Sequence, residues 1–319
     1  MIKTQHAKLL ACLICFEKDR KTVMGLGGFW LVGAGAALWG TIGLFVDALQ
    51  QLGFTSLQIT LLRTGTAGLI LLIYAFLWRR DQLRINWRDL PYFLGTGICS
   101  IAFFNWCYFQ AMQEASLSVA AVLLYTGPAF VVVLARVFLK EPLTPLKILA
   151  LIGTLVGCCF VVGWLPGLDQ NITLYGLIVG LGSGLGYGLY SIIGKPATSR
   201  YSPLTITTYT FIIAALFLAP LAQPQTTLIM LATTPAWPYI VGLSLIPTVI
   251  AYLLYTQGLS MLESGRASIA ATIEPVIAVL LGMLVLGDNL TLWQGIGIIF
   301  ILAAVIGIQF ETAETIEKA

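Results

Sequence analysis

Long apolar runs make up most of this chain, and short polar or basic segments separate each run from the next. A helix needs about 20 predominantly apolar residues to cross a bilayer. Ten runs come close to this length or exceed it, at residues 28–49, 56–78, 90–112, 116–138, 144–164, 173–194, 203–222, 236–260, 266–287 and 291–309. Turn-forming or charged residues mark the breaks, for example at Arg79–Arg88 and Pro196–Pro203. The pattern predicts an all-α membrane protein with ten transmembrane helices.

The second half of the chain repeats the first at a constant offset. Residues 147 positions apart match in type, and the pairs are Tyr108 with Tyr255, Gln110 with Gln257, Ala120 with Ala267, Pro128 with Pro275, Glu141 with Asp288, Leu143 with Leu290, and Thr144 with Thr291. A duplication inside so apolar a chain is typical of a membrane transporter built from two similar halves, with its site between them.

Basic residues predict how the chain is oriented. With the N-terminus inside, the external loops hold no lysine or arginine, which follows the positive-inside rule. The cytoplasmic segments then hold an N-terminal basic cluster together with Arg79, Arg80, Arg84, Arg88, Arg136, Lys140, Lys147, Lys195, Arg200, Arg266 and Lys318. Both termini are therefore predicted to be cytoplasmic. Five spans in each half mean that the second half enters the membrane in the opposite sense, as a 5+5 inverted repeat.

Four segments follow from these spans. They are a cytoplasmic N-terminal tail (1–27), a first repeat (28–164), a second repeat (174–309) and a cytoplasmic C-terminal tail (310–319). The N-terminal tail has a short apolar stretch, Leu9–Phe16, that is too short to span and is not followed by a small-residue cleavage site. An alternative interpretation is that translation starts at Met24, so that the tail is an upstream extension.

Composition excludes several function classes. The 319 residues are 58% hydrophobic and only 10% charged, whereas soluble domains carry about 25% charged residues, so the chain is expected to lie in a lipid bilayer. A net charge of +3 argues against nucleic acid as a partner. The only histidine is His6, and the pair Cys12 and Cys15 has no second half-site. We therefore expect no metal, no cofactor and no histidine-based catalysis.

Two charged residues lie deep within predicted spans. Arg63 is nearer the outer end of the second span, where its side chain could snorkel to water. Glu274 is near the middle of the ninth, and a charge there needs a partner or a wet cavity. Glu274 is a candidate to bind a cationic group, to take up a proton, or to pair with Arg63; the alternative is a purely structural ion pair or hydrogen bond. Pro275 and its repeat mate Pro128 loosen their helices and are candidate hinges.

Aromatic and amide residues recur at matching places in the two halves. Their apolar bodies and polar tips suit a cavity for small amphipathic solutes, although packing between helices or at the membrane interface is the alternative for each. The candidates for substrate binding, besides Glu274, are Trp39, Asn105, Tyr108, Tyr125, Tyr187 and Tyr252. Closely spaced glycines in the sixth span, Gly180–Gly188, predict a close helix–helix contact. Lys140-Glu141 predicts a solvated cytoplasmic turn.

Several short motifs resemble one known family in their order along the chain. They are Trp39-Gly40, Leu62-Arg63 and the run Ala120–Leu151 in the first half, and Glu274-Pro275-Val276, Leu286-Gly287-Asp288 and Gly295-Ile-Gly297 within Tyr252–Ile298 in the second. This doubled order is similar to the drug/metabolite transporter superfamily, with two EamA domains. The resemblance implies a ten-helix inverted-repeat carrier of a bacterial-type inner membrane, among relatives that export amino acids, amines or other metabolites.

The sequence is thus interpreted as a secondary transporter, and as an exporter of a small organic metabolite such as an amino acid or amine. No ATP-binding motif is present, so coupling is expected to come from a proton gradient, with protons as the candidate coupling ion, or from exchange of solutes. The alternatives are uptake or exchange of another solute class (organic acid, nucleoside or drug), an intramembrane enzyme, and a channel or scaffold that does not cycle. A sugar phosphate is disfavoured, since phosphate-ester carriers among distant relatives use pairs of intramembrane basic residues and this chain offers only Arg63. The oligomeric state is left open.

Overall fold

The computed structural model of the protein describes residues 26–114, 117–165, 173–286 and 291–318. Most of the predicted N-terminal tail, including Met24 and the pair Cys12 and Cys15, lies outside the described residues. Within them the chain is helical and forms no strand. The last helix continues to Lys318, so the backbone of the predicted C-terminal tail extends the final span.

Each of the ten predicted apolar runs forms a helix. Eight helices in the described part of the chain are long and apolar enough to cross a membrane. They are α1 (Leu26–Gln51), α2 (Ser56–Trp78), α3 (Trp87–Glu114), α4 (Val119–Leu139), α6 (Leu174–Ala197), α8 (Trp237–Met261), α9 (Ser264–Val285) and α10 (Leu292–Gln309). Two shorter apolar helices are α5 (Pro145–Val161) and α7 (Pro203–Leu218). A further short helix, Pro224–Thr233, precedes α8.

The sequence repeat has a counterpart in helix irregularities. α4 breaks at residues 125–126 and α9 at residues 271–272, so the two breaks lie within one residue of the repeat offset of 147. A proline follows each break, and it lies in the first turn of the next helical segment, where its missing N–H leaves no hydrogen bond unmade. The π-helical segments Ala135–Leu139 and Gly282–Leu286 recur at that offset too.

The first helix of each repeat packs against the other repeat. A Cβ atom on Gly35 of α1 would lie 2.7 Å from the carbonyl oxygen of Ala251 in α8, and one on Gly40 would lie 2.9 Å from that of Glu274 in α9. In the same way α6 packs on α3 and α4, as the predicted glycine face required: a Cβ on Gly184 would lie 2.8 Å from the carbonyl oxygen of Leu123. This exchange places the boundary between the repeats at the centre of the bundle.

The remaining helices pair with their repeat counterparts. α2 packs along α7, and α5 along α10. The second pair is very close, because a Cβ on Gly297 would lie 2.6 Å from the carbonyl oxygen of Gly157. Loops at one end of the bundle are joined by hydrogen bonds, including Ser202 Oγ to Gln82 Oε1 and Lys195 Nζ to the carbonyl of Leu262. We call this end, which carries most of the basic residues, the basic end.

Candidate functional site

One cavity of about 520 Å³ lies between the two repeats. The helices that line it include α1, α2, α3, α4, α6, α8 and α9. Six of these contain the predicted substrate-binding residues, and α2 contributes as well. The lining includes all seven predicted substrate-binding residues, namely Trp39, Asn105, Tyr108, Tyr125, Tyr187, Tyr252 and Glu274. Arg63 and Pro275 also line it, whereas Pro128 does not. The structure thus brings together residues that are up to 235 positions apart in sequence.

The cavity extends to the end of the bundle opposite the basic end, which we call the open end. Its lining there includes Asp47, Gln50 and Ser56, which flank the turn between α1 and α2. Asp47 and Gln50 are exposed, and the Asp47 carboxylate accepts a hydrogen bond of 2.8 Å from the Gln51 side-chain amide. A solute therefore has a route to the aromatic interior from this end.

Glu274 is placed in the cavity by the break in α9. The backbone turns at residues 271–272, and the new helical segment starts at Ile273, so Glu274 lies in its first turn. A carboxylate is favoured there by the partial positive charge of a helix N-terminus. The Tyr187 hydroxyl donates to Glu274 Oε2 over 3.3 Å, and this hydrogen bond links α9 to α6.

Arg63 points into the protein, not toward the membrane surface. Its residue is only 6% exposed, so the expectation that its side chain snorkels is wrong. Ser56, Thr60 and Arg63 follow one face of α2 at spacings of four and three residues, and that face is turned toward the cavity. Among the described residues, no ion pair within 4.0 Å joins Arg63 to Glu274.

Aromatic rings form the floor of the cavity. The Trp39 ring centroid lies 5.0 Å from that of Tyr252 and 4.9 Å from that of Tyr255. Tyr190 meets Tyr252 edge-on, with ring centroids 5.1 Å apart. On the far side of Trp39 and Tyr252 lies a void of about 10 Å³, too small for a solute. The rings therefore close the path from the cavity toward the basic end.

Sequence reasoning missed several polar and aromatic residues of the lining, among them Thr60 and Phe104. Thr60 donates through Oγ1 to Asn105 Oδ1 over 3.3 Å, and it is nearly fully buried. Phe104 packs against Tyr187, with ring centroids 6.1 Å apart. The position of Thr60 one turn before Arg63 is the signal that would have found it, since both lie on one helix face.

A network of charged groups ties the repeats together at the basic end. The Lys147 ammonium, which is 1% exposed, donates to Glu263 Oε2 and to the Pro142 carbonyl, both over 2.8 Å. Arg266 Nε lies 3.2 Å from the same Glu263 oxygen. The Glu141 carboxylate accepts from the backbone N–H groups of Ser264 and Gly265 at the start of α9, over 2.7 and 3.0 Å.

This network corrects the interpretation of Lys140-Glu141 as a solvated turn. Lys140 does turn the chain, with a left-handed φ of 58°. Glu141, however, is half-buried and occupied with α9, because a carboxylate neutralises the exposed N–H groups of a helix start. Lys195 adds a further link, donating to the carbonyls of Leu259 and Leu262 at the end of α8. Helices of both repeats are thereby held together opposite the open end.

The residues of the cavity favour binding over catalysis. In the described part of the chain, no group of three or more His, Cys, Asp or Glu side chains is arranged to hold a metal ion. The cavity instead combines aromatic walls, an acid and a guanidinium in its interior and a few polar tips, which is the chemistry of a small-molecule binding site.

Comparison with known proteins identifies the family. The model of the EamA-like transporter family matches residues 26–163 and again residues 174–310. The chain belongs to this family. Its members and the similar proteins below are transporters and not enzymes, so the chain is a multi-pass integral membrane protein with a transport role.

Relatives of this EamA-like chain cover most of its length. An uncharacterized transporter of Archaeoglobus fulgidus is 31% identical over 275 residues, which are 85% of this chain and 92% of that protein. The threonine/homoserine exporter RhtA of Salmonella typhimurium is 26% identical over 256 residues, 78% of this chain and 80% of RhtA. One solved crystal structure superposes with a TM-score of 0.72 at 16% identity, covering 93% of this chain and 99% of the other, and it supports the fold.

Proposed function

We propose that this protein is a secondary transporter that exports small organic metabolites, such as amino acids or amines, by alternating access. In this proposal all ten helices cross a bacterial-type inner membrane as a 5+5 inverted repeat, with both termini cytoplasmic. The basic end then faces the cytoplasm and the open end faces outward. The similarity to RhtA, a threonine/homoserine exporter, supports the substrate class.

The observation that carries the proposal is a central cavity between the two repeats that is open at one end and closed at the other. Alternating access requires a central site that is exposed to one side at a time. Two layers separate the cavity from the basic end: the aromatic floor around Trp39 and Tyr252, and the charged network around Lys147 and Glu263. The described arrangement corresponds to an outward-facing state in the proposed orientation.

For the cavity to open to the other side of the membrane, the helices must repack at the breaks in α4 and α9. Pro128 and Pro275 follow these breaks, so the short turns before them are the proposed hinges. Pro275 moves the cavity wall directly, because it lies in the lining, whereas Pro128 acts from behind it. In the alternate state the network at the basic end separates and the open end closes.

Protons are the proposed coupling ion, with Glu274 as their carrier. Its carboxylate lies within the cavity, and it accepts a hydrogen bond from the Tyr187 hydroxyl. Substrate and proton then compete for one acid, which couples the outward movement of one to the inward movement of the other. Such competition requires no second ion site.

Counterflow in proteoliposomes tests the carrier proposal. Purified protein is reconstituted with a labelled solute outside and an unlabelled solute inside, over a panel of amino acids, amines, nucleosides and organic acids. A carrier gives saturable accumulation of label, whereas a channel gives flux that does not saturate and a scaffold gives none. Glu274→Gln should lose accumulation driven by a pH gradient and should also weaken exchange, because the same carboxylate binds substrate and proton, while Glu114→Gln, at an exposed residue outside the cavity, should retain both.

A further inference from the structure

Two opposite charges share the cavity without neutralising each other. Arg63 and Glu274 both line it, and they are not paired within 4.0 Å in the described structure. A half-buried acid and a buried guanidinium that are free to meet normally do so, because each is expensive to desolvate alone. Since the two charges line one cavity unpaired, each is available to a ligand bound there.

The guanidinium of Arg63 is an unused anion site. Its Nε atom is buried and has no hydrogen-bond partner, and no other side-chain nitrogen of Arg63 donates to any residue in the described ranges. A guanidinium offers five N–H donors in a planar fork that matches a carboxylate. The backbone of Arg63 makes a contact that its side chain does not, because the Arg63 carbonyl accepts a hydrogen bond from Ser244 Oγ over 3.3 Å.

Glu274 supplies the complementary cation site. Its described side-chain hydrogen bond uses only Oε2, through Tyr187, so Oε1 is open to a ligand. The rings of Trp39, Tyr108 and Tyr125 line the same space, and aromatic faces attract an ammonium group. The only other acid in the lining is Asp47, which is exposed at the open end and bonded to Gln51.

We propose that the cavity binds zwitterions, with the substrate carboxylate at Arg63 and the substrate ammonium at Glu274, so that α-amino acids fit and singly charged analogues do not. This inference rests on the proposed transport function and specifies its substrate. A simple amine leaves the Arg63 guanidinium buried and unpaired, and a simple carboxylic acid meets Glu274 with a like charge. The apolar lining, which includes Ile42, Met112 and Val279, accommodates an uncharged side chain.

Matched sets of three ligands test the proposal on the whole protein. Each set holds an amino acid, the amine that lacks its carboxylate, and the acid that lacks its amine; phenylalanine, phenethylamine and 3-phenylpropionate form one, and threonine and its analogues another. Binding is measured as the shift in melting temperature of the protein in detergent, and exchange as inhibition of counterflow in proteoliposomes. Both measurements are repeated on Arg63→Gln, on the charge-retaining Arg63→Lys, and on Arg84→Gln, an exposed arginine outside the cavity.

The expected result is that at least one amino acid binds and exchanges, and that its two analogues compete at least ~10-fold more weakly, as for the loss of one charged hydrogen-bonding partner. Arg63→Gln should weaken binding of the amino acid by ~10- to 100-fold without weakening binding of the amine. Arg63→Lys should restore part of the lost affinity, and Arg84→Gln should behave as the parent. Because the comparison of ligands uses the parent protein, it stands even where a variant does not fold.

Other outcomes separate this proposal from the carrier function. Two outcomes overturn the zwitterion site but not the carrier function. One is that an amine or an acid exchanges as well as the amino acid does, and the other is that Arg63→Gln leaves the response to the amino acid unchanged. A melting shift specific to the amino acid, without counterflow, supports the site and overturns the carrier. Absence of any amino acid response in both measurements overturns the zwitterion site.

Discussion

Glu263 holds two cations at the basic end, and replacing it with glutamine should open that end. Lys147 is 1% exposed and Glu263 is 31% exposed, with 2.8 Å between the charged atoms, and Arg266 lies against the same carboxylate. Removing one partner of a fully buried pair costs about 3–5 kcal/mol. Solvent reaches Glu263 and screens it, and Lys147 keeps the Pro142 carbonyl, so we expect about 1–3 kcal/mol here.

This energy shifts the equilibrium between the closed and opened basic end by about 5- to 150-fold. Hydrogen–deuterium exchange measures the shift, because the amides of Ser264 and Gly265 donate to Glu141 only while the end is closed. Peptides that cover residues 262–270 should therefore exchange faster in Glu263→Gln by a factor in this range, whereas peptides from α2 should not change.

Two controls make the measurement decisive. Glu114→Gln alters an exposed acid at the other end of the bundle and should leave peptides 262–270 at the parent rate. The double variant Lys147→Met with Glu263→Gln removes the stranded ammonium as well, so its exchange should return toward that of the parent. Parent-like exchange in Glu263→Gln, or a double variant that opens further than the single one, would refute the reasoning.

Three further predictions concern packing, the cavity floor and a buried acid. Gly297→Ala should reduce the free energy of unfolding by about 1–3 kcal/mol, because its Cβ would meet the Gly157 carbonyl, and a lower melting temperature in detergent measures this loss; Gly295→Ala, with open space around it, should not change the melting temperature. Trp39→Ala should make vesicles leak uncoupled solute, because its ring separates the cavity from the void below; Trp30→Ala, at an exposed position of the same helix, should not. Asp89→Asn should cost about 1–2 kcal/mol, seen as a lower melting temperature, because its carboxylate accepts from an arginine and a tyrosine over 2.6 and 2.7 Å.

The fold could be predicted from sequence as far as its periodic and repeated features reach. Apolar runs produce helices because the backbone must satisfy its own hydrogen bonds in lipid. The offset of 147 also anticipated that the break before Pro128 would recur before Pro275. The π-helical segments left no comparable signal: residues 135–139 read ARVFL and residues 282–286 read GMLVL, which have only their final leucine in common at matching positions.

The sequence indicated which types of residue form the candidate site, but not the direction in which each side chain points. Tyrosines and Glu274 stood out as polar groups in apolar runs, and all seven predicted binding residues line one cavity. The direction of Arg63 depends on the rotation of α2 about its axis, which is fixed by its contact with α7 and cannot be read from local spacing. The Glu141 and Lys147 contacts were missed for the same reason, since their partners lie more than 110 residues away.

The exchange of first helices between the repeats imposes an order on biosynthesis. The face of α1 that contains Gly28 is covered by Gly258, in α8. Ribosomes add about 5–20 residues per second, so α1 is made roughly 10–50 s before this partner exists. Until then, lipid or the insertion machinery must cover that face of α1, and the groove on α3 and α4 stays vacant until α6 emerges. The native bundle therefore completes only as translation ends, and a nascent chain that stalls between the repeats presents unpaired helix faces to the quality-control proteases of the membrane.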